Sequence, residues 1–146
     1  MTEAFSIGFL SAGRSRGSAE RIGRIVLGTC EERFRASLEH WRASDYERHW
    51  RQALARLLGG SRSCLITNMV EPTSRVENLE WWPAWPLGDE VRFHQAVVLP
   101  GKLDPPFDPD DPYVHLEDYD PSDAEAGVSE WRVPLRAIRD FVAATG

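Results

Sequence analysis

The chain has 146 residues, the length of one ordinary domain of about 100–200 residues. Hydrophobic residues make up 42% of it and charged residues 27%; these are the proportions of a globular protein and exclude wholesale disorder. The formal net charge of −6 disfavours a general nucleic-acid binder, because phosphate contacts need a surplus of cations. We therefore expect one domain over residues 1–146, able to fold without metal or disulfide support.

The first part of the chain predicts β-strands. Large apolar residues alternate with smaller ones over residues 5–9, which is typical of a short strand, and residues 22–27 predict a second strand. Small and basic residues at 13–18 indicate a loop. Residues 31–41 leave two alternatives open, because their apolar side chains fit one face of a helix as well as one face of a strand.

A helix over residues 44–58 has the clearest signature. Ser44 is followed three positions later by Glu47, the pattern of a capping box at a helix N-terminus. The apolar residues behind it recur with the spacing of one helical face: Tyr46, Trp50, Ala53, Leu54 and Leu57. Residues 59–60 are both glycine, which predicts the end of the helix there.

The second half predicts antiparallel strands and a closing helix. Strands are expected at residues 64–67, 81–86, 91–99, 113–117 and 129–133. Pro83 and Pro86 favour an edge position or a bulge for the second of these strands. Pro134 is expected at the first position of a helix over residues 134–143. The order of elements predicts an α+β domain, with a mostly antiparallel sheet packed against two main helices, about 44–58 and 134–143.

No motif predicts a metal site, a cofactor or a catalytic centre. The four histidines, His40, His49, His94 and His115, have no metal-binding spacing. Residues 30 and 64 are the two cysteines, too far apart for a metal or redox motif, and are expected to be reduced thiols. One alternative stays open: a small hydrolase or nucleic-acid-modifying enzyme in which His94 or His115 pairs with a carboxylate. Its marker would be a histidine and a carboxylate converging in one pocket.

The sequence also predicts where the protein is located. No apolar stretch approaches the roughly 20 residues that span a bilayer. Glu3 stands where a secretory signal peptide has basic residues. We therefore expect a cytoplasmic protein with no membrane contact.

The six tryptophans fall into two groups. Trp41, Trp50 and Trp131 are expected in the core. Trp81 and Trp82 are adjacent on a predicted strand, so their side chains point to opposite faces and cannot both enter one core. Two interpretations follow. Either a loop or a helix covers the second face, or one of the two tryptophans is exposed and serves as an anchor for a partner, since exposed tryptophan is enriched at binding hot spots.

Charge is concentrated in one stretch, residues 100–127, called the acidic segment below. It holds nine acids and one lysine, whereas residues 1–62 hold 11 basic and 7 acidic groups. The nine acids are Asp104, Asp108, Asp110, Asp111, Glu117, Asp118, Asp120, Asp123 and Glu125. A solvated loop that aids solubility would account for this composition. A negative surface that attracts and orients a basic protein partner is the functional interpretation.

Three stretches, in order, resemble the immunity proteins of bacterial contact-dependent growth inhibition systems. Residues 28–58 carry Trp41, Ser44, Asp45, Tyr46, Trp50, Ala53 and Leu57; residues 63–98 carry Leu65, Ile66, Thr67, Pro72, Trp82, Gly88 and Val91; and residues 129–141 carry Ser129, Glu130, Trp131, Leu135, Ile138 and Phe141. Residues 85–86, Trp-Pro, depart from the pattern, where a less rigid pair is expected. These aromatic and turn residues specify a fold more than a reaction.

The resemblance implies a cytoplasmic, non-enzymatic protein that binds one cognate toxin domain, often a nuclease, and blocks its active site. Nuclease toxins grip phosphates and tend to be basic, which suits an acidic inhibitor. The first hypothesis is therefore tight 1:1 binding of a toxin by a free monomer, through the nine acids with Trp81 or Trp82 as an anchor, and without direct contact to nucleic acid. A housekeeping adaptor or oligomeric scaffold is a third possibility.

Overall fold

The computed structural model describes residues 4–14 and 19–145, with side chains for residues 4–10 and 19–145. The strands are β1 Phe5–Arg14, β2 Glu20–Leu27, β3 Cys30–Ser37, β4 Ser63–Asn68, β5 Leu79–Leu87, β6 Glu90–Phe93, β7 Ala96–Val98 and β8 Trp131–Pro134. The helices are α1 Ala43–Leu58, α2 Ser122–Glu125 and α3 Leu135–Thr145. The prediction of an α+β fold with antiparallel strands and two main helices is confirmed, and the strands form two sheets.

The first sheet has the strand order β1-β2-β3. Gly28, at φ 68°, makes the turn between β2 and β3, a conformation that favours glycine. Residues 31–41 begin as a strand, because Phe34 and Ala36 both face the core. Gly23 pairs with Phe34 across the sheet, and a Cβ at Gly23 would lie 2.2 Å from the Phe34 ring. The predicted loop at residues 13–18 falls mainly outside the described residues.

The second sheet has the order β4-β5-β6-β8, and β7 pairs with β5 beyond the end of β6. The single long strand predicted at residues 91–99 is therefore wrong: the chain leaves the ladder at residues 94–95 and resumes at Ala96. Residues 113–117 do not form the predicted strand either. They begin in a 3₁₀ turn, Pro112–His115, where proline suits the first helical position.

Of the two alternatives for β5, the edge position is wrong, since β5 is central; the bulge has a counterpart in the register shift of the β4–β5 pairing between Ile66 and Asn68. The sheet tolerates Pro83 and Pro86 because each proline nitrogen faces a place where the neighbouring strand is interrupted or has ended, so no ladder hydrogen bond is lost there. The carbonyl of Pro83 accepts the N–H of His94 at 2.9 Å, so Pro83 turns its backbone toward the break between β6 and β7. Pro86 lies beyond Ala84, the last β5 residue that pairs with β4.

Helix α1 begins one residue earlier than predicted, with Arg42 as the N-cap. The capping carboxylate belongs to Asp45, whose Oδ2 accepts the backbone N–H of Arg42 at 2.8 Å; Ser44 and Glu47 do not form the predicted capping box. The helix ends at Gly59, as expected. The predicted apolar face is confirmed: Tyr46, Trp50, Ala53, Leu54 and Leu57 are all buried.

Side chains of α1 hold the outer edge of β4. His49 Nε2 accepts the N–H of Ile66 at 2.9 Å, and the indole N–H of Trp50 donates to the carbonyl of Ile66 at 2.8 Å. The hydroxyl of Tyr46 accepts the N–H of Met69 at 2.9 Å. A strand edge leaves such groups unpaired, so α1 satisfies them and closes this side of the sheet.

The core joins both sheets to both long helices. Phe5 of β1 stacks on Phe93 of β6 at 5.9 Å and meets Phe141 of α3 edge-on at 5.3 Å. Trp50 of α1 lies 5.9 Å from the ring of Phe34 in β3. Helix α3 begins at Leu135, and the predicted first helical residue, Pro134, ends β8 instead.

In the described part of the chain, no helix combines the length and the apolar character needed to cross a membrane.

Candidate functional site

The acidic segment lies against the second sheet and turns most of its charge to solvent. Four of its side chains are buried, Pro100, Phe107, Pro112 and Leu116. Eight of the nine acids named above are exposed, and Asp123 is half-buried. The segment is thus a folded covering layer that presents carboxylates on its outer side.

Local hydrogen bonds set the shape of this layer. Asp108 Oδ1 accepts the N–H of Asp110 at 2.9 Å. Asp120 Oδ1 accepts both the N–H and the hydroxyl of Ser122, at 2.9 and 2.7 Å, and these bonds hold the pKa of Asp120 below its ordinary value. Such Asx turns give proline-rich stretches a defined path without regular structure.

Three contacts tie the layer to the body of the protein. The indole N–H of Trp85 in β5 donates to the carbonyl of Glu117 at 2.9 Å. The guanidinium of Arg56 in α1 lies 4.0 Å from the ring centre of Tyr113. Arg62 forms an ion pair with Asp118. The path of residues 113–118 is therefore held by residues far away in the sequence.

A buried carboxylate, Glu130, anchors the end of the segment. Its Oε1 accepts the hydroxyl of Tyr119 at 2.7 Å and lies 3.1 Å from His94 Nε2. Its Oε2 lies 3.5 Å from Arg132 Nε and 3.8 Å from Arg92 Nη1. Arg92 also donates to the Tyr119 hydroxyl at 2.8 Å. The network links β6 and β8 to the acidic segment.

Burial and hydrogen bonding act in opposite directions on Glu130. Burial alone would raise its pKa, but the bonds from Tyr119 and His94 and the nearby charge of Arg92 hold the pKa below its ordinary value. Glu130 is therefore a carboxylate at neutral pH. The charge is compensated in place, as buried ions require.

His94 and Glu130 meet one half of the marker set for the alternative enzyme, a histidine in contact with a carboxylate. Within the part of the chain that the structure describes, however, Glu130 does not line a pocket with His94. Both side chains are less than a tenth exposed, at 8% and 7%, and the Trp85 ring lies 4.9 Å from the imidazole. His94 also lines a groove, described below. His115 stacks on Phe107 at 6.1 Å, and its Nε2 is buried without a hydrogen-bond partner.

The remaining histidines have separate surroundings. His49 is buried in α1, and burial lowers its pKa to about 3, so it is neutral and accepts the Ile66 bond. His40 lies 3.9 Å from Glu71. In residues 4–14 and 19–145, no three side chains of the metal-ligating types come together.

The interpretation in which Trp81 or Trp82 is exposed is wrong. Their exposed fractions are 4% and 1%. They do point to opposite faces of β5, but both faces are covered: Trp82 packs against Trp131 at 5.3 Å, and Trp81 lies beneath the acidic segment. The alternative, cover by a loop on the second face, describes Trp81. Trp50 is buried in the core as predicted, and Trp41 and Trp131 are half-buried and packed against it.

A groove of about 520 Å³ opens where the acidic segment meets the second sheet. Alternate residues of β5, Trp81, Pro83 and Trp85, line it together with Leu103 and Val128. Four acids also line it: Glu117, Asp118, Asp120 and Asp123. Apolar side chains and carboxylates therefore lie side by side in this groove.

Sequence reasoning found the acids but missed the residues that position them. Trp85, Tyr119 and Glu130 carry that role, and their bonds span 11 to 36 positions of sequence. Of these three residues, only Glu130 had a signal in the sequence, because it is one of the residues that carry the family resemblance. No local spacing reports such contacts, since they depend on how β5, β6 and β8 come together.

The fold defines a class: a small α+β protein with two antiparallel sheets, two long helices and an acidic layer on the second sheet. The sequence model of the CdiI N-terminal domain matches residues 36–141, which is most of the chain. The chain belongs to the CdiI N-terminal domain family, and the resemblance to immunity proteins of contact-dependent growth inhibition is confirmed.

A solved structure is similar to almost the whole chain: the CdiA-CT/CdiI toxin and immunity complex from Enterobacter cloacae. The similarity covers 96% of this chain and 97% of that chain, with a TM-score of 0.81 and 23% identity. At that identity the likeness establishes the fold. Among curated proteins, none matches the chain.

Proposed function

We propose that this protein is an immunity protein that binds the toxin domain of its own growth inhibition system and neutralises it through the acidic segment, without catalysis. Membership of the CdiI N-terminal domain family supports the role. The choice of surface rests on one observation: eight exposed acids lie on a layer that Trp85, Arg56 and Arg62 hold against the body of the protein. A positioned negative surface steers a basic partner and orients it on encounter.

The proposed partner is a basic toxin domain, a nuclease, bound 1:1 in the cytoplasm by a monomer. A nuclease concentrates cations where it holds phosphate, so an acidic surface of matching shape competes for the same groups. The contact would be of ordinary size, about 800 Å² on each side, with a charged rim around desolvated anchors. The immunity protein itself would touch neither nucleic acid nor membrane.

Co-expression tests the proposal. The probe is the proposed partner itself, the toxin domain of the same growth inhibition system. Cells that produce the domain alone should stop growing, and cells that also produce this protein should grow. Purified domain and protein should form a complex that saturates at one to one in calorimetry. Continued growth arrest, or no complex, would contradict the proposal.

A second candidate, an enzyme that uses His94 with Glu130, is favoured by their 3.1 Å contact. Stoichiometry separates the two candidates, because a binder protects only up to its own concentration, whereas an enzyme protects at a small fraction of it. The variant His94→Gln makes the same distinction. It should protect as the wild type does if binding is the mechanism, and protection should vanish if His94 is catalytic.

A further inference from the structure

The groove beside β5 differs from other surface depressions in its charge. Among the described residues that line it are four acids and no lysine or arginine. The neighbouring depression around residues 60–62 shares Asp118 but is also lined by Arg56 and Arg62. The first site lacks the cations that balance the second, so its negative charge is available to a partner.

Two of the groove carboxylates have no compensating contact. The side chains of Glu117 and Asp123 form no hydrogen bond or ion pair within the described residues. Asp118 pairs with Arg62, but its side chain is 95% exposed, and such surface pairs contribute little. A cation that enters the groove would therefore pair with these two carboxylates without breaking an existing ion pair.

The lining of the groove selects among cations. Trp81, Pro83 and Trp85 lie on one face of β5 at the base of the groove and are buried, and the accessible apolar lining comes from Val98, Leu103 and Val128. An arginine side chain suits such a site, since its stem packs on apolar surface while its planar, weakly hydrated guanidinium forms two parallel hydrogen bonds with a carboxylate. A lysine ammonium is compact and strongly hydrated, and it lacks this planar two-bond geometry.

We propose that this groove is the specificity pocket of the interface and binds one arginine side chain of the toxin, with its guanidinium among Glu117, Asp120 and Asp123. The inference rests on the proposed function and names the partner group for part of the same surface. The bond from Trp85 to the Glu117 carbonyl fixes the rim before binding, which lowers the entropic cost of association.

Charge variants test the role of the rim. Glu117→Gln with Asp123→Asn removes two groove charges, and Asp104→Asn with Asp111→Asn removes two exposed charges that do not line the groove. Against the toxin domain, the groove pair should raise the dissociation rate about tenfold, because it removes partners of a desolvated cation. The control pair should slow association slightly. Equal effects of the two pairs would overturn the inference.

A steric variant separates pocket binding from general attraction. Val128 lines the groove and is 41% exposed, so Val128→Trp should fill the space without disturbing the core or the net charge. Val76→Trp, at a site 87% exposed and outside the groove, is the matched control. Affinity should fall about tenfold or more for the first and stay unchanged for the second. If Val128→Trp binds the toxin domain as tightly as the wild type does, the groove is not an arginine pocket.

A small probe keeps the inference separate from the proposed function. N-acetyl-arginine amide should produce saturable NMR shifts of the Trp85 indole N–H in the wild type. The uncharged N-acetyl-citrulline amide, and arginine amide with Val128→Trp, should not. If the toxin domain fails to bind but the arginine shifts are present, the proposed function is wrong and the pocket stands. If the toxin binds but the shifts are absent, the pocket is wrong.

Discussion

Helix α1 and the acidic segment both pack against the second sheet, and they are built in opposite ways. The helix contributes a continuous buried face and satisfies the edge of β4 with His49 and Trp50. The acidic segment contributes a few buried side chains and is held mainly by single polar contacts, such as those of Trp85 and Tyr119. One region serves stability, and the other displays charge.

The difference shows how a small protein can vary the charge of its surface without destabilising its fold. Substitutions among exposed carboxylates leave the core untouched, since most surface changes alter stability by less than about 0.5 kcal/mol. Substitutions in α1 act on the core directly. The predictions below test how sharply the two roles are divided.

The largest loss of stability is expected from Trp50→Ala in α1. The change removes a side chain that is 3% exposed and its bond to the Ile66 carbonyl. Aromatic-to-alanine changes in a core cost about 3–5 kcal/mol. Urea denaturation should show this loss, while Arg51→Ala, an exposed neighbour on the same helix, should change little. A loss below about 1 kcal/mol would mean that α1 is not the main support.

A pH-dependent loss is expected from His49. Burial lowers its pKa to about 3 in the folded protein, whereas an unfolded histidine titrates near 6.5. The unfolded state therefore takes up a proton first, and the stability present above pH 6.5 is lost as the pH falls toward 3. Between pH 7 and 5 the free energy of unfolding should drop by about 2 kcal/mol through this group.

Two variants isolate that effect. His49→Gln keeps a hydrogen-bond acceptor near Ile66 but does not titrate, so its stability should depend less on pH over this range. His40→Gln, beside Glu71 at the surface, serves as the control and should keep the wild-type slope. Identical slopes for His49→Gln and the wild type would show that His49 is not the group responsible.

A smaller and more local effect is expected from Tyr119→Phe. The variant loses the bonds to Glu130 and Arg92, at 2.7 and 2.8 Å, with a cost of about 1 kcal/mol. Amide hydrogen exchange should speed up around residues 117–120, while α1 stays protected. Tyr113→Phe keeps its ring under Arg56 and should leave exchange unchanged. Faster exchange throughout the protein would mean that the two regions are not separable.

Much of the fold follows from local pattern. The face of α1 from Tyr46 to Leu57 was predictable because helical spacing is set by nearby residues. Local pattern does not decide between helix and strand at residues 31–37, because the strand depends on pairing with β2, where the Phe34 ring covers Gly23. The central position of β5 was missed for a similar reason: its prolines are tolerated only because β6 is interrupted and β4 ends.

The candidate site divides in the same way. The acids are evident from the composition. The burial of Trp81 is not, because the acidic segment itself covers this side chain and its position depends on tertiary contacts. The Glu130 network was equally hidden, because its members come from β6, β8 and the segment and meet only in the folded protein. Sequence pattern reports which charges exist, and tertiary contacts decide where they point.

The smallest effect on stability, with a clear effect on binding, is expected from Asp108→Asn, Asp110→Asn and Asp111→Asn combined. All three side chains are exposed, and asparagine at residue 108 can still accept the bond from Asp110, so unfolding should change by less than about 0.5 kcal/mol. Association with the toxin domain should slow about tenfold at low salt and lose most of its salt dependence. A matched control replaces exposed Glu39, Glu47 and Glu77 by Gln. If that control slows association equally, net charge rather than the acidic segment steers the partner.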